Sequence, residues 1–158
     1  VIAYRTASLL NVTSLSNELG LDRATTETYL SILERLFLIR RLPAWHGNNA
    51  KRLIKTPKVH VIDSGLSAML NRLTAKDWQT QSTEFGALLE SFVVQQLICQ
   101  AGWIDSELRF SHYRDKDKLE VDLVIEQGRN VWAVEVKRSA SLMDKDGAGI
   151  DKELGSGS

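Results

Sequence analysis

One stretch limits the possible folds more than any other: residues 119–137, LEVDLVIEQGRNVWAVEVK. Apolar and polar residues alternate on both sides of Gln127-Gly128-Arg129-Asn130, which predicts a β-hairpin. With that loop, Glu126 pairs with Val131. The register then sets Asp122 opposite Glu135 and Glu120 opposite Lys137, all on one face because side chains alternate along a strand. The other face carries Val121, Leu123 and Ile125 against Trp132, Val134 and Val136, a continuous apolar layer. Directly opposed residues have Cβ atoms about 4.5–5.5 Å apart. Two carboxylates that close repel unless a proton or cation lies between them, and a hard divalent ion with oxygen ligands meets that need. The run 131–136 is apolar on both sides of its one acid, which predicts a central strand covered on both faces.

Upstream, residues 83–102 read as a helix that is apolar almost all round, with Glu90 the only charge between Glu84 and Asp105. A carboxylate in such surroundings is costly without a partner. Packing this helix over the sheet brings Glu90 toward the face of Asp122 and Glu135. Three strands are predicted, over 108–113, 119–126 and 131–137. A helix followed by consecutive strands is an α+β arrangement.

The first half carries helical punctuation. Residues 14–20 form a short helix that ends on Gly20, and Asp22 caps a second helix over 23–37 with apolar Tyr29, Leu30, Ile32, Leu33, Leu36 and Phe37. Two helices joined by a glycine-containing turn make a helix-turn-helix. Strands over 36–42 and 53–62, flanking a His46-Gly47-Asn48-Asn49 turn, convert it to a winged helix. Asp63 caps a short helix through about Leu73, and 74–83 is a polar connector. Arg40, Arg41, Lys51, Arg52, Lys55 and Lys58 fall in or beside the wing, where phosphate contacts are made. Arg23, Thr25 and Thr26 open the recognition helix, the end that faces base edges. DNA is the partner these positions suggest.

Composition removes several alternatives. Twenty basic and twenty acidic residues give a formal net charge of zero, so nucleic-acid binding must rest on local patches. A single Cys99 excludes an internal disulfide and a cysteine zinc cluster, and fits a reducing cytoplasm. His46, His60 and His112 show no ligand spacing, and His112 is expected at the surface. Trp103 and Trp132 are expected in the core. There is no phosphate-binding G-x-x-x-x-G-K-[ST] loop, so no nucleotide cofactor is expected. The most apolar stretch, 85–104, contains Glu90 and three glutamines, which predicts a buried helix rather than a membrane span.

A helix with a Glu, followed by an Asp and a hairpin to Glu-x-Lys, is the pattern of the PD-(D/E)XK nuclease-like superfamily, matched here by Glu90, Asp122 and Glu135-Val136-Lys137. The wording around these residues is closer still. Phe85-Gly86-Ala87-Leu88-Leu89-Glu90, the stretch from Tyr113-Arg114 to Glu120-Val121-Asp122, and Ala133-Val134-Glu135-Val136-Lys137 resemble the C-terminal region of a prokaryotic AAA-type ATPase family. Leu53-Ile54-Lys55-Thr56-Pro57-Lys58 and Asp63-Ser64-Gly65-Leu66 are similar to its linker. In that family an ATPase module precedes a winged helix and a nuclease-like domain of unassigned function.

The resemblance implies metal-dependent phosphodiester hydrolysis. Asp122, Glu135 and the Val136 carbonyl would hold Mg²⁺ or Mn²⁺, Glu90 would complete or orient the site, and Lys137 would position or activate water. It also implies the ATPase module as a partner in the parent chain, with a homodimer as a further option. Alternatives are a non-catalytic interaction module and a winged-helix regulator of DNA. The expected organisation is a winged helix-turn-helix with linker helix over 1–75 and a nuclease-like helix and three-stranded sheet over 76–150. The nuclease-like part is expected to be truncated, since such folds continue with a second helix and another strand. Residues 151–158 resemble a cloning linker.

Overall fold

The computed structural model describes residues 1–45, 54–104, 107–117 and 119–138, with the backbone alone at Trp78. These form a mixed α+β structure with four α-helices and two three-stranded antiparallel sheets. The chain divides into two compact units, one made of Val1–Leu42 and Thr56–Phe92, the other of Pro43–Lys55 and Val93–Ser158.

The first unit is organised around the period-two pattern of Lys58-Val59-His60-Val61. Val59 and Val61 enter a core with Ala3, Leu10, Leu15, Leu30 and Ile39, which sends Lys58 and His60 to the opposite face. This strand, β3 (Lys58–Val61), lies between β1 (Ser8–Leu9) and β2 (Ile39–Leu42). Helix α1 (Val12–Leu19) starts on Asn11, whose Oδ1 accepts from the Ser14 amide at 3.0 Å. It ends on Gly20 at φ +64°, where a left-handed residue lets the Leu21 amide reach back to the Ser16 carbonyl. Helix α2 (Arg23–Arg35) starts on Asp22. Its carboxylate accepts from the Thr25 amide at 2.9 Å and the Thr25 hydroxyl at 2.6 Å, and these bonds, the hydroxyl's first, hold its pKa below the usual aspartate value.

Helix α2 stops two residues before the expected Phe37. Phe37 stands in the left-handed region at φ +56°, and the Phe37 and Leu38 amides donate back to the Glu34 and Leu33 carbonyls. That is the closure a glycine commonly makes. Asp63 caps α3 (Ser64–Leu70), its Oδ1 accepting from the Leu66 amide at 2.8 Å. The expected polar connector contains a 3₁₀ turn, Ala75–Trp78, closed by reciprocal bonds between Thr74 and Asp77. The expected turn at His46-Gly47-Asn48-Asn49 lies outside the described residues.

Helix α4 (Ser82–Ala101) contributes its residues up to Phe92 to the first unit and the rest to the second. The second unit holds β4 (Arg109–Arg114), β5 (Glu120–Gln127) and β6 (Asn130–Val134) in the order β4-β5-β6. The hairpin adopts the expected register, with Gln127 opposite Asn130, Glu126 opposite Val131 and Leu123 opposite Val134. Gly128 supplies the positive φ of its turn.

Two expectations are corrected. The central strand is β5, where Val121 to Val124 are all buried, whereas β6 is an edge strand of the described sheet with Trp132 46% exposed. Among the described residues, the apolar residues on both faces of β6 thus stand on an edge strand. Trp103 is 86% exposed and does not belong to the core either.

Candidate functional site

The two sides of β5 do not run in phase. Ser111 pairs with Val124, but Tyr113 pairs with Val121, so Asp122 and Leu123 together oppose the single residue His112. This is a β-bulge with its extra residue in β5, a device that re-aims side chains and is common beside active sites. Its effect on packing is direct. Tyr113, Val121 and Val124 share one hydrophobic cluster, joined by Trp45, Leu119 and Ala133. Two residues three apart in a regular strand would face opposite ways. The apolar layer expected from Val121, Leu123 and Ile125 is thus broken at its first member.

Asp122 sits in this irregularity and is buried. The regular ladder between β5 and β6 ends at Leu123 and Val134, one residue short of the expected Asp122–Glu135 pair. There the Asp122 side chain takes over: its Oδ2 accepts from the Val136 amide at 2.9 Å. The carboxylate is thereby brought to the middle residue of Glu135-Val136-Lys137. Lys137 Nζ forms an ion pair with Glu135 Oε1. Asp122, Glu135 and Lys137 belong to one unit, and the two acids offer the oxygen donors a hard divalent ion prefers. Among the described residues, no three of His, Cys, Asp and Glu are grouped closely enough to hold a metal ion.

Glu90 lies in the first unit. Its Oε1 accepts from Lys58 Nζ at 2.6 Å, and the Lys58 side chain is only 1% exposed. Beside it, Ser91 Oγ shares hydrogen bonds with Thr6 Oγ1 at 2.8 Å and His60 Nδ1 at 3.0 Å. Thr6 Oγ1 also accepts from the Val61 amide at 3.0 Å. The polar face of β3 is therefore matched to Glu90 and Ser91 of α4 by a buried array of charge and hydroxyl groups. The acid that the sequence places on an uncharged helix has its partner here.

The residues expected to meet DNA separate into several groups. Arg23 and Lys55 are exposed, Arg40 is half-buried, and Lys51 and Arg52 lie outside the described residues. Thr25 is committed to the Asp22 cap, and buried Thr26 donates its hydroxyl to the Asp22 carbonyl at 2.9 Å. Arg41 bonds Glu34 through Nε and Glu27 through Nη1, each at 2.8 Å, and these bonds, Glu34's first, raise its pKa. Lys58 is buried against Glu90. Thr26, Arg41 and Lys58 are thus used inside the first unit instead of being offered at its surface.

Two further residues carry weight in the second unit. His112, expected at the surface, is fully buried opposite the bulge. Its amide donates to the Pro43 carbonyl at 2.9 Å and its carbonyl accepts from the Trp45 amide at 2.7 Å, so Ala44 forms a parallel bridge with it. Buried Asp115 closes the β4–β5 turn, its Oδ1 accepting from the Leu119 amide at 2.9 Å. The sequence signal for β3 was its own alternation: Lys58 and His60 interleave with two core valines. No comparable signal marks the bulge.

Comparison with known proteins matches residues 1–77 to one domain of unknown function (DUF8612) and residues 85–155 to another (DUF4143). Uncharacterised proteins of Mycobacterium bovis and Mycobacterium tuberculosis are each 25% identical to the chain over 141 residues. The alignment covers 89% of this chain and 31% of each relative, so the chain spans about a third of the length of the curated relatives it matches. No solved structure matches. Among the described residues, no helix is long and apolar enough to cross a membrane.

Proposed function

We propose that this chain is a C-terminal module of an AAA-type ATPase, pairing a winged-helix unit with a PD-(D/E)XK nuclease-like unit in which Asp122, Glu135 and Lys137 form the phosphodiesterase site. The observation that carries the reading is the bond from the Val136 amide to Asp122 Oδ2, which joins the bulged acid to the Glu-x-Lys segment. The sheet order β1-β3-β2 behind α1 and α2 supports the winged-helix part, and domains of the DUF4143 kind are typically found with AAA-type ATPases.

When bound, Mg²⁺ or Mn²⁺ would polarise a phosphodiester and lower the pKa of a water. The Asp122 and Glu135 carboxylates would hold it, and Lys137 would orient the attacking water. Glu90 acts in this reading as the counter-ion of Lys58, fixing α4 on β3. The test is calorimetric titration of Mg²⁺ and Mn²⁺ into the wild type beside Asp122→Ala and Glu135→Ala. Saturable binding that both substitutions abolish is expected. Equal heats from all three proteins would sink the metal site. Cleavage belongs to an assay on the full-length parent.

A second reading, a non-catalytic interaction module, has its own support. The segment that follows β2 adds Ala44 beside His112 of the second sheet. With Thr26, Arg41 and Lys58 also engaged internally, Arg23 and Lys55 are the exposed DNA candidates among the described residues.

A further inference from the structure

The outward face of α2 is the wrong chemistry for a helix that reads bases. Tyr29, Ile32 and Leu36 are 55%, 44% and 61% exposed. Their spacing of three and four residues puts them on one stripe. Phe37 follows directly and is 77% exposed in a left-handed conformation, which is costly for a bulky residue and commonly reserved for glycine. Burial in the folded chain does not repay that cost, because the ring is in water. The acids of the same helix are turned elsewhere: Glu27 and Glu34 bond Arg41. A surface that reads nucleic acid is polar and strongly basic; this one is an apolar seam.

We propose that this seam is a self-association surface, in which α2 of one copy packs antiparallel on α2 of a second copy about a two-fold axis near Ile32. The inference goes beyond the metal site and does not depend on it. Three properties of the face favour a second copy as its occupant. A two-fold there sets Tyr29 against Arg35 and Leu36 of the other copy, so that exposed Arg35 meets an aromatic face it can stack on. The formal net charge of zero leaves no long-range repulsion between copies. The four side chains expose on the order of 500 Å² of mostly apolar surface, a large part of the roughly 800 Å² each partner gives to a standard interface. Antiparallel packing also opposes the two helix dipoles favourably.

Sedimentation of the whole chain over a wide concentration range, at fixed salt, tests this. A monomer–dimer equilibrium is expected, with Ile32→Asp weakening the dimer about tenfold or more, as loss of a central interface anchor does. Far-UV circular dichroism checks that the variant is folded. A second measurement does not depend on destabilising anything: Ile32→Cys in a Cys99→Ser background should form an interchain disulfide under mild oxidation, whereas Thr28→Cys in the same background should do so far less. A wild type that stays monomeric at every concentration overturns the proposal. So does a dimer unaffected by Ile32→Asp, or a monomer in which Ile32→Asp abolishes binding to duplex DNA, which would assign the face to nucleic acid. Because the readouts are mass and crosslinking, failure here leaves the metal titration standing, and the reverse holds too.

Discussion

Lys58 brings a full charge to a site that is 1% exposed, and the Glu90 carboxylate 2.6 Å away is its compensation. Removing one member of such a pair strands the other in a poorly solvated place, at a cost of about 3–5 kcal/mol, while replacing both with apolar residues of similar size is often neutral or better. Lys58→Met should therefore destabilise the chain by about that amount in urea unfolding, and Lys58→Met with Glu90→Leu should recover most of it. If the double variant were no more stable than the single one, the pair would not be the reason Glu90 is where it is. Asp122 poses a related question, since its side chain does the work of a backbone carbonyl at the end of a ladder. Asp122→Asn keeps an acceptor for the Val136 amide and should cost little, whereas Asp122→Ala leaves that amide without its partner at about 1–3 kcal/mol. Both should lose metal binding. That pattern separates the residue's part in the fold from its part in the site.

At the scale of elements, helix ends govern what can be tested. Asp22 has a folded pKa depressed mainly by the Thr25 hydroxyl. A depressed carboxylate contributes stability that is present above its unfolded value and lost as pH falls through the folded one. The contribution of the α2 cap should thus fade in acid, starting below about pH 4. Asp22→Ala should lower the melting temperature at neutral pH and flatten the acid limb of its pH profile, read by circular dichroism. The other end of α2 predicts the opposite sign. Phe37→Gly removes a side-chain penalty in the left-handed region and should stabilise the dilute monomer by about 1 kcal/mol, while weakening any association through that face. Asp77 resembles Asp22, its pKa lowered first by the Thr74 hydroxyl, but it closes only a 3₁₀ turn.

For the molecule as a whole, the sequence is informative where one local rule decides. The hairpin register follows from alternation about Gln127-Gly128-Arg129-Asn130, a loop that the structure tightens by pairing Gln127 with Asn130, and the helix starts follow from Asp22 and Asp63. Burial of Lys58, His60 and His112 is hidden because lysine and histidine are ordinarily surface residues, and their partners lie 32, 31 and more residues away. Exposure of Trp132 is hidden because an apolar strand reads alike at the centre and at the edge of a sheet. The same distinction governs binding to duplex DNA. If Arg23 of the first unit or Lys55 of the second contacts a phosphate, its alanine substitution should reduce the salt slope by about one. Lys58→Met should leave the slope unchanged. Equal slopes in all variants would remove both residues from the interface.

The β5 bulge matters beyond this chain as well. It acts on the pleat as a frameshift acts on a reading frame: the inward set runs through Val121 on one side of it and Val124 on the other. A search for distant relatives that demands strict alternation will align the strand one position out and read a valine or leucine where the acid stands. Allowing one skipped residue at Asp122–Leu123, within the first strand of the hairpin, keeps Asp122 aligned with its counterparts.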